Sequence, residues 1–295
     1  MLKYETIQEL VSAAEAQGVR ISELVLRDQA ESMETAELEL YEKMEIDFQV
    51  MVSSVEFGQK KDQRSMSGLT GGEGWKMKTY AEEKGGLCGS FLGGAISRAL
   101  AVAGCNASMG RIVAAPTAGS CGILPGCLVS LWEEKGVPEK DIVMSMFTAG
   151  AFGMVIAKKA SVAGAQGGCQ AECGSAAAMA AAALTEIMGG TPAQCADACA
   201  IAIANQLGLV CDPVAGLVEI PCIKRNVSGL VIAFSSADLA LAGIGAKIPA
   251  DECLDAMRDV GDTMPEALKE TAKGGLAATP TGVRLQKQVF GEKQD

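Results

Sequence analysis

The sequence predicts an all-α protein: one compact helical domain of Ala- and Gly-rich packed helices, led by an amphipathic N-terminal helical segment. Three observations carry this. Apolar residues make up 49% of the chain while aromatics make up only 4%, so small aliphatic side chains must fill the core and helices can approach closely. Helix-length blocks rich in Ala, Gly, Ser and Met follow one another after Gly86, separated by short Gly/Pro loops. Alternating period-two runs bounded by turn residues, the mark of strands, are nearly absent. At 295 residues the chain has interior enough for a large core, and no linker divides it, so residues 1–295 are expected to form a single domain.

The elements follow in order. Residues 1–60 read as a polar helical lead-in. There Ile7, Leu10, Val11 and Ala14 recur at helical spacing and Gly18 ends the run. Thr35 to Val55 reads as a longer, acidic helix, followed by a glycine-rich break from Ser65 to Gly74. Helices are then expected near residues 87–103, 121–135, 138–160, 171–188, 192–207, 222–243 and 249–273. Three of them have clear starts. Thr191-Pro192-Ala193-Gln194 supplies an N-cap, a proline at the first helical position and a capping-box Gln. Pro138-Glu139 and Pro249-Ala250-Asp251-Glu252 begin helices with acidic first turns, which complement the helix dipole. Gly274 to Gly282 is a second glycine loop, and residues 283–295 read as a polar tail prone to disorder.

Composition narrows the function. Lys+Arg number 25 against Asp+Glu 36, a net charge of −11, with no basic run. Nucleic-acid binding draws on cationic stripes that displace counterions, so no nucleic-acid partner is expected, and anionic membrane surfaces are disfavoured for the same reason. Two apolar stretches approach the length of a membrane span. Residues 142–157 are short and glycine-interrupted, and residues 227–246 carry Asp238 near their middle, so no membrane association is expected. Lys3, Glu5 and Glu9 at the start do not make a signal peptide, which predicts a cytoplasmic protein with reduced thiols. The chain has no histidine. It cannot by itself build a Ser-His-Asp triad, a Cys-His pair or a His-ligated zinc site, so any metal must be held by thiolates or carboxylates.

Two glycine loops and the cysteines remain as candidate chemistry. Ser65 to Gly74 fails the Walker A and dinucleotide patterns, yet its unhindered backbone N–H groups can cradle an anion. Thr117-Ala118-Gly119-Ser120-Cys121-Gly122 enters a helix and has the same character. Eleven cysteines is an odd and high count, which argues against a complete disulfide framework. Cys88, Cys105, Cys121, Cys127 and Cys253 read as buried packing residues, as do Cys195 and Cys199 on one small-residue face. Cys169 follows the loop Ala163 to Gly168, which would leave it exposed at a helix start, and it shares a face with Cys173. Cys211 and Cys222 bracket a loop shaped by two prolines and a glycine. None of these spacings matches a zinc or ferredoxin motif, so spacing alone leaves ligation and packing both open.

Four segments carry a resemblance. Ser65 to Gly72 (SMSGLTGG), Ala115 to Gly126 (APTAGSCGILPG), Ser161 to Glu172 (SVAGAQGGCQAE) and Cys211 to Cys222 (CDPVAGLVEIPC) resemble the signature segments of the α chain of iron–sulfur-dependent L-serine dehydratases. The closing GLAATPTG ending at Gly282 is similar to the end of that chain. The resemblance runs over nearly the whole length. It implies a helical catalytic subunit acting on L-serine with a [4Fe-4S] cluster and no pyridoxal phosphate. Carried over position by position, the cluster thiolates fall on Cys169, Cys211 and Cys222. The amino-acid loop falls on Ser65, Ser67, Gly68, Thr70 and Gly71, with a second contact at Thr117, Ala118 and Gly119. Cys173, where relatives often differ, becomes a rival ligand.

Three thiolates leave one iron open as a Lewis acid for the serine hydroxyl and carboxylate, where four would saturate the cluster. The general base is not identified. Glu172 and Asp212 read rather as groups that orient ligands or form ion pairs, and the preferred source is a β subunit, a partner the resemblance to an α chain implies. Two other functions stay open: an L-cysteine desulfidase-like lyase, and a non-catalytic iron–sulfur scaffold or redox subunit.

Overall fold

A computed structural model describes residues 3–291, and among these the chain is helical with no strand. The lead-in contains three helices. α1 (Ile7–Gln17) buries Ile7, Leu10, Val11 and Ala14, the four residues of the predicted apolar stripe. The Thr6 hydroxyl accepts from the Glu9 N–H at 3.0 Å to cap its start. Gly18 closes it in the left-handed region at φ +64, where an L side chain is strained. α2 (Ile21–Ser32) is a separate helix that the apolar spacing did not single out, and α3 (Glu37–Gly58) carries the predicted acidic helix one turn further.

The glycine-rich break ends in an unanticipated helix, α4 (Glu73–Lys84). Then come α5 (Gly89–Ala107), α6 (Ile123–Lys135) and α7 (Glu139–Ala160). A four-residue α8 (Gly164–Gly167) and a π-helical turn (Gln170–Gly174) lead into α9 (Ser175–Ile187), which is followed by α10 (Pro192–Ala204) and α11 (Cys222–Leu241). α10 starts with the predicted capping box: Thr191 Oγ1 accepts from the Gln194 N–H, and Gln194 Oε1 accepts from the Thr191 N–H.

α9 is the central helix. Ala176, Ala177, Ala178 and Ala180 to Ala183 are wholly buried, and α6, α7, α10 and α11 pack around them. Alanine keeps the side-chain layer thin, so these neighbours approach more closely than helices faced with leucine. α7 is the one helix among the described residues long and apolar enough to cross a membrane; 72% of its most apolar window is buried against the other helices. It serves as a core helix here.

The C-terminal region departs most from expectation. α12 (Ala250–Thr263) stops well short of residue 273. Met264 precedes Pro265 and takes an extended conformation, as the proline ring requires of its predecessor. Irregular chain follows to Thr279, whose hydroxyl caps α13 (Pro280–Phe290). The tail is therefore helical from 280 to 290 rather than disordered, and residues 292–295 of the expected tail lie outside the described residues.

Candidate functional site

The four motif segments are far apart in sequence and meet in one place. The π turn carries Cys169 at its start and Glu172 within it. Such turns, which insert one residue into a helix, often occur at functional sites. Cys169 is 3% exposed and not an exposed helix-start thiol as its flanking glycines suggested. Gln170 accounts for this: its side-chain oxygen accepts from the Gly208 N–H and its side-chain amide donates to the Met257 carbonyl, both at 2.9 Å, which ties the turn to α12 and to the loop that follows α10. The Cys169 and Cys173 sulfurs are 3.4 Å apart. That contact, aided by the Arg225 guanidinium, holds Cys169 below the ordinary thiol range against the effect of burial, and drives Cys173 up.

Cys211 and Cys222 stand at the two ends of their loop, both buried. The loop includes the cis Ile220–Pro221 bond and a left-handed Ala215. Cys211 is fixed by main-chain bonds, its N–H donating to Leu268 O at 2.8 Å and its carbonyl accepting from the Glu270 N–H at 2.7 Å, so the irregular stretch after α12 backs the site. Burial raises the Cys211 thiol and pushes Cys222 up to about 12; Cys211 also feels negative charge on Cys169, Glu172 and Cys222, and Cys222 feels that on Cys169 and Glu172. The three thiols therefore lie within one another's electrostatic reach.

The second predicted loop meets the π turn through Glu172. The Thr117 hydroxyl donates to Glu172 Oε1 at 2.8 Å, and the Cys211 thiol points at Oε2 from 3.7 Å. Burial raises the Glu172 carboxyl, with the Thr117 hydrogen bond opposing. Gly119 and Gly164 leave room for this carboxylate: a Cβ on Gly164 would lie 2.6 Å from Oε2, and one on Gly119 would lie 3.0 Å from Oε1. Ala118 and Gly119 form a short 3-10 turn. Asn226 of α11 holds it in place, donating to Gly119 O and Cys222 O and accepting from the Gly122 N–H.

The first predicted loop meets the cysteine loop through Glu219. The Ser67 and Thr70 hydroxyls both donate to Glu219 Oε2 at 2.9 Å. Ser65 Oγ lies 3.3 Å from Ser67 Oγ and accepts from the Thr70 N–H. Gly68 is left-handed at φ +74, and Gly71 at φ +156 lies against Gln63 O, where a Cβ would come within 2.5 Å. Asp212 pairs with Arg225 at 2.7 Å and accepts from the Leu276 N–H, so it belongs to the loop's framework. Glu219, Arg225 and Asn226 were not singled out from the sequence. An acid between two candidate thiolate ligands was the available signal for Glu219.

The donor set suits an iron–sulfur group. The three thiols are buried, no imidazole competes, and Arg225 offsets negative charge beside them. Among the described residues no three His, Cys, Asp or Glu side chains converge on a single-ion centre. A cubane takes each thiolate on a different iron, so thiolates that share a neighbourhood without sharing a point fit it. The remaining cysteines are packing residues, with one exception: Cys88, expected buried, is exposed at the start of α5.

The sequence model of the serine dehydratase alpha chain matches residues 16–277. A probable L-serine dehydratase alpha chain of Bacillus subtilis (strain 168) is 46% identical over 288 residues, 98% of this chain and 96% of that one. The L-serine dehydratase alpha chain of Peptoniphilus asaccharolyticus is 44% identical over 287 residues, 97% and 98% of the two chains. An L-serine dehydratase of Mycobacterium tuberculosis is 45% identical over 184 residues, which cover 61% of this chain but 40% of that longer one.

Proposed function

Because the chain belongs to the serine dehydratase alpha chain family, we propose that it catalyses the iron–sulfur-dependent conversion of L-serine to pyruvate and ammonia. The observation that supports this best is the meeting of all four segments: Thr117 reaches Cys211 through Glu172, and Ser67 and Thr70 reach the Cys211–Cys222 loop through Glu219. Cys169, Cys211 and Cys222 would hold a [4Fe-4S] cluster. When bound, that cluster supplies an open Lewis-acidic iron for the substrate hydroxyl and carboxylate. Cys173, buried behind Cys169, supports Cys169 rather than completing the ligand set.

The chain's own residues bind and orient. The Thr117–Gly119 turn offers backbone N–H groups for the substrate carboxylate, and the Ser65–Gly71 loop holds the rest of the amino acid. The reaction loses the Cα proton to a base and the β-hydroxyl as hydroxide. The resulting aminoacrylate rearranges to the imine, which takes up water to give pyruvate and ammonia with no net redox change. A β subunit supplies the base and closes the site against water. The same proposal places the protein in the cytoplasm.

The deciding experiment is anaerobic co-expression of the α chain with and without β, measuring iron, sulfide and pyruvate. The expected result is about four iron and four sulfide per α chain, with pyruvate from L-serine only when β is present. Faster turnover of L-cysteine with sulfide release would replace the reading with a desulfidase. A cluster without turnover of either amino acid would replace it with a redox or scaffold role. Full activity of α alone would bring the base back to this chain, where Glu172 is the first residue to substitute.

A further inference from the structure

Three carboxylates among the described residues are buried: Glu186, Asp212 and Glu219. A buried carboxylate needs compensating charge or a dense set of donors. Asp212 has Arg225 at 2.7 Å together with the Leu276 N–H. Glu186 accepts from the Thr148 hydroxyl and from the Ser22 N–H in the first turn of α2, so the positive end of a helix dipole faces it. Glu219 has neither. Its donors are the two hydroxyls of Ser67 and Thr70, both on Oε2, and no Lys, Arg or backbone N–H among the described residues reaches either oxygen.

Its place makes this deficit informative. Glu219 sits on the loop whose ends are Cys211 and Cys222, and its hydrogen-bond partners belong to the amino-acid loop. A buried acid lacking a protein cation, held by the loop that receives an amino acid, is matched by the one cation that amino acid carries. We propose that Glu219 binds the α-ammonium of the substrate, with the Ser67 and Thr70 hydroxyls fixing Oε2 so that Oε1 is presented to it. The role is substrate positioning, and it makes the site selective for α-amino acids over hydroxy acids lacking the amino group. It rests on the serine-dehydrating reading above.

The test uses the anaerobically assembled holoenzyme with β. Glu219→Gln keeps an oxygen to accept from both hydroxyls and removes only the charge. The KM for L-serine should rise on the order of 10- to 100-fold, the range for losing a charged hydrogen bond, while the Ki of 3-hydroxypropionate should stay within about 2-fold. That inhibitor retains the carboxylate and β-hydroxyl but lacks the amino group. Glu219→Asp, which keeps the charge, should restore part of the lost affinity. Iron and sulfide content should match wild type in both variants. If KM and Ki rise together, Glu219 merely latches two loops and the inference is overturned; unchanged KM overturns it too. A wild-type enzyme that releases no pyruvate from L-serine would instead remove the functional reading beneath it.

Discussion

Cys195 and Cys199 are as deeply buried as Cys169, Cys211 and Cys222, yet the two groups sit in different surroundings. The first pair lies within the regular α10, where burial is the main influence and pushes both thiols up. The second group lies on irregular backbone: a π turn, and the ends of a loop with a cis proline and a left-handed alanine. Glu172, Arg225 and Asp212 stand among these thiols. Burial therefore does not separate a proposed ligand from a packing residue. Backbone irregularity together with nearby charge does, since a regular helix satisfies itself while a loop must be held by specific side chains.

The largest contrast should appear when each group loses a thiol. Cys211→Ser or Cys222→Ser is expected to abolish the iron and sulfide of the anaerobically prepared protein, and pyruvate formation with it. Cys199→Ala should keep both and cost about 1 kcal/mol of stability, the usual price of a small core truncation. Iron and sulfide analysis beside a melting curve checks both halves. Equal iron loss in all three variants would erase the distinction between the groups.

Glycines sharpen the same comparison. Gly164→Ala would place a methyl 2.6 Å from Glu172 Oε2 and 3.2 Å from Cys211 Sγ. Moving the carboxylate by even an ångström should lower kcat on the order of 10- to 100-fold, as misplacement of positioning groups does. The helical circular dichroism should be unchanged, because α8 is only a four-residue turn. Wild-type turnover in this variant would show that Glu172 has freedom to move without consequence.

A milder lesion follows at Thr117. Thr117→Val preserves the shape and removes the hydroxyl that donates to Glu172 Oε1. The expected loss in kcat/KM is roughly 10-fold, from one hydrogen bond to a partly buried carboxylate. An unchanged kcat/KM would mean that the Thr117 bond is a bystander to the chemistry.

The two regions also differed in how much the sequence disclosed. α1, α7, α10 and α11 were legible because apolar spacing, Pro starts and the Thr191 capping box are local signals. The candidate site was legible only as separate segments. Thr117 and Glu172 lie 55 residues apart, and Ser67 and Glu219 lie 152 apart, so no periodicity links them. Cys169 looked exposed because glycines precede it; the Gln170 hydrogen bonds that bury it reach Met257 and Gly208. The early end of α12 was available in Pro265, whose effect on Met264 is local, but the helix-favouring Glu, Ala, Leu and Lys residues beyond it masked the stop. α13 escaped because its exposed, polar surface resembles a tail, although Thr279-Pro280 is a proper helix start.

The smallest expected effect lies in the regular region and falls on stability, where that of Gly164→Ala falls on turnover. Gly150 is in the middle of α7, with a right-handed helical backbone, and a Cβ built there meets no atom within 4 Å. It borders a surface hollow lined by Val25, Met44, Phe147 and Met154, which has space for a methyl group. Alanine there removes no contact and strains no dihedral. It reduces the freedom of the unfolded chain and improves helix propensity, together worth about 0.5–1 kcal/mol. For a chain of this size the melting temperature should rise by roughly 1–3 °C, with iron content and turnover unaltered. A fall in melting temperature would mean that α2, α3 and α7 close over the hollow in solution and that Gly150 is a close-approach residue like Gly164. The same methyl, added at two glycines of one protein, should then impair turnover at one and raise stability at the other, because one faces a carboxylate in an irregular site and the other faces open space beside a regular helix.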